Sequence, residues 1–209
     1  MKKMACVSLT IIMLLSLSIP VSASDISTSQ EEEYYAIVDE LNTLYDAKIT
    51  LYSIPQNMSV EEFRETMTSM AVSSAQIKSS LNQLKENGFL QTPISASTRS
   101  ETVNIGKAAD AYVMLVCKNV IIDVADNGDR IFTSAVSSNI YSREAHPFLT
   151  TVIYTMSEKH AVIYDRGISL ELSAVGDLTV RDDTTYAVMF EMDDYATSVQ
   201  CNTNDTVWM

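Results

Sequence analysis

Apolar residues near the start of the chain recur with the period of an α-helix. They fall at every third or fourth position, which places them on one face of a helix. Thr28 and Glu31, or Ser29 and Glu32, have the spacing of a capping box, in which two side chains satisfy the first free N–H groups of a helix. Pro55 disfavours the helical conformation at Ile54 and ends the pattern. The apolar face consists of Tyr34, Ile37, Val38, Leu41, Leu44, Tyr45 and Ile49.

A second amphipathic segment follows and carries a stronger signal. Ser59 and Glu62 form another capping box at its start. Asn87-Gly88 supplies a stop, because glycine tolerates the left-handed conformation that ends many helices. A short connection between two such segments predicts an antiparallel helical hairpin within residues 24–90. Apolar positions in the second segment alternate at spacings of four and three, the a/d seam of a heptad repeat. This seam consists of Phe63, Met67, Met70, Ser74, Ile77, Leu81 and Leu84.

The heptad seam has two interpretations. It can pack inside the chain, against the first helix or the strand-rich part, or it can form a coiled coil with a second copy or a partner. Ser74 occupies a core position of the seam, and Met67 and Met70 stand where coiled coils prefer leucine or isoleucine. These three residues favour packing inside the chain.

The pattern changes in the second half of the chain. Residues 91–107 are polar, with Pro93 and many serines and threonines, and predict a linker. From residue 108 to residue 209 the apolar period becomes two, which is typical of strands with one buried face. Asn127-Gly128 is a strong hairpin signal. Turns are predicted at Asn127-Gly128, Ser157–His160, Arg166-Gly167, Gly176-Asp177 and Asp182-Asp183.

These patterns together predict an α+β fold. Six to eight short strands joined by tight turns indicate a mainly antiparallel β-sandwich or small barrel that follows the N-terminal helical hairpin. A sheet with one uncovered apolar face needs a cover, so we expect the helices to pack on the sheet.

The N-terminus predicts export. Lys2 and Lys3 precede an apolar run over residues 5–19, which is shorter than the ~20 apolar residues of a membrane span. Small residues follow, and signal peptidase cleavage is predicted between Ala23 and Ser24. Residues 1–23 are therefore expected to be a signal peptide, and the mature protein to be soluble, secreted and extracellular.

The negative charge of the chain disfavours some classes of binding partner. Removal of residues 1–23 takes away Lys2 and Lys3 and no acidic residue, so the formal charge changes from −13 to −15. Nucleic-acid binding depends on basic residues that release counterions. We therefore expect no nucleic-acid partner, and no association with anionic membranes after the signal peptide is removed.

Two cysteines, Cys117 and Cys201, remain after signal removal. Export permits a disulfide between them, and a bond across so long a loop would stabilise the fold by ~4–5 kcal/mol in the chain-entropy model. Two free, buried thiols are the alternative, and the sequence leaves both open.

Candidate catalytic groups are few. The chain has two histidines, His146 before a proline and His160 in a predicted turn, and neither lies in a nucleophile motif. Asp182-Asp183 and Asp193-Asp194 are adjacent pairs whose side chains would point to opposite faces of a strand. Zinc-binding and phosphate-binding motifs are missing from the sequence. The sequence therefore predicts no catalytic, cofactor-binding or zinc site.

One pair of carboxylates suggests calcium. If Asn127-Gly128 forms a two-residue turn, Asp126 and Asp129 face each other across it, and like charges there are destabilising. Calcium prefers oxygen ligands and would relieve that repulsion. A wider loop would separate the two charges without a metal.

The chain has ten tyrosines and one tryptophan. An exposed row of them could stack on sugars or anchor a protein partner. Alternation places Tyr186 on the same strand face as Val188 and Phe190, which predicts that it is buried. The tyrosines on predicted strands are Tyr112, Tyr141, Tyr154, Tyr164 and Tyr186.

Three hypotheses on function result. The first is an exported, soluble, non-enzymatic protein that binds a protein or glycan partner. The second is a secreted hydrolase in which His146, His160 or the aspartate pairs are the acid–base groups. The third is a self-assembling structural protein that forms a homo-oligomer through the heptad seam.

Overall fold

Two helices lead into the strand-rich part of the chain. Helix α1 spans Thr28–Tyr45 and helix α2 spans Val60–Asn87. The capping box at the start of α2 is confirmed: the Ser59 N–H donates to the Glu62 carboxylate (2.8 Å), and the Glu62 N–H donates to the Ser59 hydroxyl (3.3 Å). The computed structural model describes residues 28–55, 58–87, 100–144 and 150–205.

Within the described ranges, eight strands form two four-stranded antiparallel sheets, which confirms the predicted α+β class. They are β1 (Ile49–Leu51), β2 (Glu101–Ala108), β3 (Val113–Val124), β4 (Arg130–Ser134), β5 (Ile140–Glu144), β6 (Thr150–Tyr164), β7 (Ser169–Asp182) and β8 (Val188–Asn202). Sheet 1 has the order β1-β8-β7-β6. In sheet 2, β3 pairs with β2 along one edge, and β4 and β5 share its other edge.

Helix α1 ends before the point that its periodicity predicts. Ile49 was expected on the helix face, but it begins β1. Asp46 and Lys48 have left-handed backbone conformations, with φ of 49° and 52°, so the helix cannot continue through them. The Asn42 side chain forms the two hydrogen bonds that a neighbouring strand would form with Ile49. Its Nδ2 donates to the Ile49 carbonyl (2.9 Å), and its Oδ1 accepts from the Ile49 N–H (2.7 Å).

Two of the predicted turns are wrong. Ser157–His160 lies inside β6, and Gly176-Asp177 lies inside β7. The register of β6 against β7 shifts at the first segment, and the register of β7 against β8 shifts at the second. A β-bulge adds one unpaired residue and increases the local twist without reversing the chain. Polar residues at these two bulges therefore resemble turn residues in the sequence.

The other three predicted turns are confirmed. Asn127-Gly128 lies between β3 and β4, and Gly128 has a φ of +90°. Arg166-Gly167 belongs to a short 3₁₀ turn, Asp165–Gly167, between β6 and β7. Asp182-Asp183 stands where β7 ends and the turn to β8 begins.

The predicted linker needs a correction at its C-terminal end. Residues 101–107 belong to β2, which pairs with β3 from Glu101–Ile122 to Ala108–Met114. Ile105 is the one fully buried residue of this strand, and the polar residues around it resemble a linker in the sequence. Residues 88–99 lie outside the described ranges.

One apolar core joins the helices to both sheets. Ser74 of α2 is 3% exposed, and its hydroxyl accepts the Ala196 N–H of β8 at 2.9 Å. The other end of α2 is tied to β6 by an ion pair between Lys85 and Glu158 (2.6 Å). Most of the heptad seam is therefore buried within the chain, and we do not propose self-association through it. Its buried members are Phe63, Met67, Met70, Ser74 and Leu81.

The predicted signal peptide and the cleavage site between Ala23 and Ser24 lie outside the described residues. Export therefore stays a prediction from the sequence. Within the ranges that the structure describes, no helix is long and apolar enough to cross a membrane.

Candidate functional site

His160 lies on strand β6 and not in a turn. Its Nε2 atom is 3.4 Å from the Glu158 carboxylate, which also accepts a hydrogen bond from Lys85. The hydrogen bond from Lys85 holds the pKa of Glu158 below its usual value. This group links α2 to β6 and lines neither of the two clefts described below. The other histidine, His146, is outside the described residues.

The two aspartate pairs stabilise the backbone near them. The Asp182 carboxylate accepts the N–H groups of Thr184 (2.9 Å) and Thr185 (2.7 Å), and so shapes the turn after β7. Asp194 has a left-handed φ of 52° and forms an ion pair with Lys48, which joins β8 to the end of α1. In these two pairs, Asp182 and Asp194 are engaged by the turn after β7 and by Lys48 respectively.

The loop at the predicted calcium site is wider than a two-residue turn. The Ala125 N–H donates to the Asp129 carbonyl (2.8 Å), and the Gly128 N–H donates to the Ala125 carbonyl (2.9 Å). Asp129 therefore lies opposite Ala125 and not opposite Asp126, so the repulsion that suggested calcium has no structural basis. In the described part of the chain, no group of three or more His, Cys, Asp or Glu side chains could hold a metal ion.

Cys117 and Cys201 are free thiols in the apolar core, one on each sheet. Burial raises the pKa of Cys117 to about 11 and that of Cys201 to about 12. Both groups therefore carry their protons at neutral pH, and a protonated, buried thiol is a poor nucleophile.

The possible exposed row of tyrosines is not formed by those on the predicted strands, because Tyr141, Tyr154 and Tyr164 are half-buried. Tyr112 is 7% exposed and packs edge-to-face on Phe190, with ring centroids 5.9 Å apart. Tyr186 was predicted to be buried, but it is 68% exposed. It adopts a left-handed φ of 57° in the turn before β8, so strand alternation does not apply to it.

A cleft of about 810 Å³ lies beside the first half of α2. The connection from β1 to α2, the start of α2 and the facing ends of β7 and β8 enclose it. We call it the methionine cleft, because three methionines line it. Its larger apolar residues are Met58, Phe63, Met67, Val180, Met189 and Phe190. Its polar residues include Glu62, Thr150, Asp182, Thr184 and Thr185.

Hydrogen bonds hold the wall of this cleft in place. The Met189 carbonyl of β8 accepts the N–H groups of Tyr52 (2.9 Å) and Ser53 (3.2 Å), which follow β1. The Tyr34 hydroxyl of α1 donates to the Met58 carbonyl at 2.7 Å. The connection between β1 and α2 is therefore fixed to the sheet at one end and to α1 at the other.

The charge that lines the methionine cleft is negative. Backbone and side-chain hydrogen bonds from Ser59 hold the pKa of Glu62 below its usual value. Hydrogen bonds from Thr185, and one from Thr184, do the same for the pKa of Asp182. Both carboxylates are therefore ionised at neutral pH, and no Lys, Arg or His is among the described residues that line the cleft.

A second cleft, of about 590 Å³, lies further along α2 and shares Thr66 and Tyr112 with the first. We call it the hydroxyl cleft, because polar side chains of α2 and β8 line it. Those side chains are Thr66, Ser69, Ser73, Gln76, Thr197 and Ser198.

Asp110 stands at the hydroxyl cleft and accepts hydrogen bonds from four donors. Its Oδ1 atom accepts the N–H groups of Tyr112 (2.7 Å) and Val113 (2.9 Å). Its Oδ2 atom accepts the hydroxyls of Tyr195 (3.0 Å) and Thr197 (2.6 Å) on β8. Burial raises the pKa of Tyr195 far above its usual value. The carboxylate thus joins the β2–β3 turn to sheet 1, and four donors already occupy it.

The sequence did not predict either cleft or Asp110. The residues of the methionine cleft come from separate elements that only the tertiary fold brings together. The eleven methionines of the chain were a usable signal, because this flexible side chain is common on adaptable binding surfaces.

No family model matches the chain, and no curated protein matches it. Among solved structures, the chain is similar to a two-domain protein with unknown function from Bacteroides thetaiotaomicron VPI-5482. The two sequences are 11% identical over 86% of each chain, with a TM-score of 0.29. A likeness at this level supports no statement on function.

Proposed function

We propose that the mature chain is an exported, non-enzymatic binding protein and that the methionine cleft is its binding site. The observation that carries this proposal is the cleft itself, with its volume of about 810 Å³ and its largely apolar lining. Small-molecule sites typically enclose about 300–1,000 Å³ and combine apolar walls with a few polar groups. We therefore propose a small ligand with an apolar body in place of the protein or glycan partner expected from the sequence.

The character of the lining supports an apolar ligand over a glycan. Sugars stack on exposed aromatic faces, but Tyr112 is only 7% exposed. Met58 and Met189, which are half-buried, supply flexible, polarisable side chains that adapt to an apolar shape.

The candidate catalytic groups of the described residues support binding over hydrolysis. His160 pairs with Glu158 away from the methionine cleft. Asp182 shapes a turn, and Asp194 pairs with Lys48. Cys117 and Cys201 are buried and protonated. Neither His160 nor either cysteine lines a cleft, and the one candidate catalytic residue that does, Asp182, is engaged by the turn after β7.

Export is part of the proposal and has its own test. Expression of the full chain in a secreting bacterium, followed by intact-mass spectrometry of the medium, should give a protein that begins at Ser24. A protein that stays with the cells and keeps residues 1–23 would contradict export.

Binding in the methionine cleft is tested with the neutral apolar dye N-phenyl-1-naphthylamine and two matched variants. Ala187 lines the methionine cleft and Ala111 lines the hydroxyl cleft, and both are exposed. We expect Ala187→Phe to fill part of the first cleft and to weaken dye binding about tenfold or more, equivalent to about 1.4 kcal/mol. Ala111→Phe should bind the dye as the wild type does. Absence of dye binding to the wild type, or equal binding by all three proteins, would overturn the proposed site.

A further inference from the structure

We propose that the ligand of the methionine cleft carries a positive charge beside its apolar body, as a small amphipathic amine does. This inference rests on the proposed function, because it names the ligand class for the same site. It is carried by two carboxylates, Glu62 and Asp182, which are the charged side chains among the described residues that line this largely apolar cleft.

Each carboxylate has one oxygen engaged and one oxygen directed to no described donor. The hydrogen bonds from the Ser59 N–H and hydroxyl both reach Oε2 of Glu62, each at 2.8 Å. Those from Thr184 and Thr185 all reach Oδ1 of Asp182. Within the described ranges, no hydrogen bond of the protein uses Oε1 of Glu62 or Oδ2 of Asp182. Local structure therefore fixes both carboxylates and leaves an acceptor on each for a ligand.

No ion pair between described residues uses Glu62 or Asp182. The ion pairs between described residues use other carboxylates, among them Glu40, Glu101, Glu158, Asp194 and Asp205. No cationic side chain of the described residues lines the methionine cleft. A cleft with one sign of charge and apolar walls concentrates ligands of the opposite sign. The charge of −15 on the mature chain acts in the same direction.

The expected charge effect is moderate, because Glu62 is exposed and Asp182 is only half-buried. Exposed ion pairs are weak and are screened by salt. We expect a cationic ligand to bind about fivefold to tenfold more tightly than a neutral one of the same body at low ionic strength, and this difference to vanish near 1 M salt.

The test uses three probes with the same eight-carbon body: octyltrimethylammonium, 1-octanol and octyl sulfate. The two ionic probes are kept below their micelle concentrations and the alcohol below its solubility limit, and each displaces N-phenyl-1-naphthylamine from the full mature chain. We expect the cation to bind most tightly, the alcohol to be intermediate and the sulfate to be weakest.

Two matched double variants assign the effect to the cleft. Glu62→Gln with Asp182→Asn removes both charges but keeps the capping box and the turn, since glutamine and asparagine fill these roles. Glu61→Gln with Asp183→Asn makes the same charge change at adjacent residues that do not line the cleft. We expect the first variant to bind the cation and the alcohol equally, because it weakens binding of the cation more than binding of the alcohol. The second variant should keep the preference for the cation.

The outcomes separate this inference from the proposed function. Equal binding of the cation and the alcohol by the wild type would overturn the charge inference and leave the cleft as an apolar site. Loss of the cation preference in the control variant would also overturn it, because the effect would then come from net charge. Failure of the dye and of all three probes to bind would overturn the proposed function itself.

Discussion

The Asp110 side chain connects two backbone N–H groups and two side-chain hydroxyls beside the hydroxyl cleft. Its removal leaves the hydroxyls of Tyr195 and Thr197 without their acceptor, and both residues are 2% exposed. A buried polar group without a partner costs about 1–3 kcal/mol. We therefore expect Asp110→Ala to lower the free energy of unfolding by about 2–4 kcal/mol, measured by urea denaturation with circular dichroism.

A matched substitution controls for the loss of an acidic side chain. Asp126 is exposed in the β3–β4 loop, and Asp126→Ala should change the free energy of unfolding by no more than about 0.5 kcal/mol. If the two variants were equally stable, Asp110 would not be the link between the β2–β3 turn and sheet 1.

The two buried thiols predict how stability depends on alkaline pH. Burial raises the pKa of Cys117 to about 11 and that of Cys201 to about 12. The folded chain therefore holds these two protons more tightly than the unfolded chain, whose thiols titrate near pH 8.5. Their contribution is fully present below that pH and is lost as pH rises towards 11–12. We expect the free energy of unfolding to fall between pH 8.5 and pH 10.

A double variant isolates this effect from other groups. Cys117→Ala with Cys201→Ala removes both thiols, so its free energy of unfolding should fall less steeply over the same pH range. The comparison concerns the slope, because the substitutions themselves also lower stability at every pH. Equal slopes in the reduced wild type and the variant would contradict the burial of two ionisable thiols.

At the scale of single elements, the pairing of β6 with β7 in sheet 1 requires their backbones to approach closely at a bulge. A Cβ atom on Gly176 of β7 would lie 2.2 Å from the Thr155 carbonyl oxygen of β6. The obstacle is backbone, so it cannot move aside as a flexible side chain does. We expect Gly176→Ala to cost more than about 3 kcal/mol of stability or to prevent folding, measured by thermal denaturation.

The control is another glycine substitution in a different element. A Cβ atom on Gly128 would meet nothing within 4 Å, although its φ of +90° is unfavourable for alanine. Gly128→Ala should therefore cost only about 1 kcal/mol. A Gly176→Ala protein as stable as Gly128→Ala would show that β6 and β7 do not approach so closely.

The elements that the sequence predicted well are those with local causes. The start of α2 follows from the Ser59–Glu62 capping box, and the β3–β4 hairpin follows from Asn127-Gly128. The end of α1 was missed because it depends on the contact between Asn42 and Ile49. The bulges in sheet 1 were mistaken for turns because both favour polar residues and glycine, and only the pairing register distinguishes them.

The candidate site was unpredictable for a similar reason. Glu62 was recognised as a capping residue and Asp182 as a turn residue, and both local roles are confirmed. Their place beside one apolar cleft depends on how α2 lies against the ends of β7 and β8, which no local pattern contains. One oxygen of a carboxylate can thus stabilise a helix start or a turn, while the second oxygen of the same carboxylate is available at a binding site.

At the scale of the whole molecule, the shared core makes the helices and the sheets one folding unit. Buried residues from α1, α2 and both sheets belong to the same apolar cluster. Domains with a single continuous core usually unfold in one cooperative transition. We expect the far-ultraviolet signal of the helices and the near-ultraviolet signal of the buried tyrosines to change at the same urea concentration.

Two matched core substitutions, one in a helix and one in a sheet, test whether the helices and the sheets unfold together. Leu41 of α1 is 3% exposed and Leu172 of β7 is 0% exposed, and both belong to the shared core. Replacement of either by alanine should lower the free energy of unfolding by about 2–5 kcal/mol and shift both optical signals together. If Leu41→Ala shifted the helical signal alone, the helices would fold as a separate unit. The methionine cleft would then lie at the interface between two folding units, and its shape would depend on the stability of that interface.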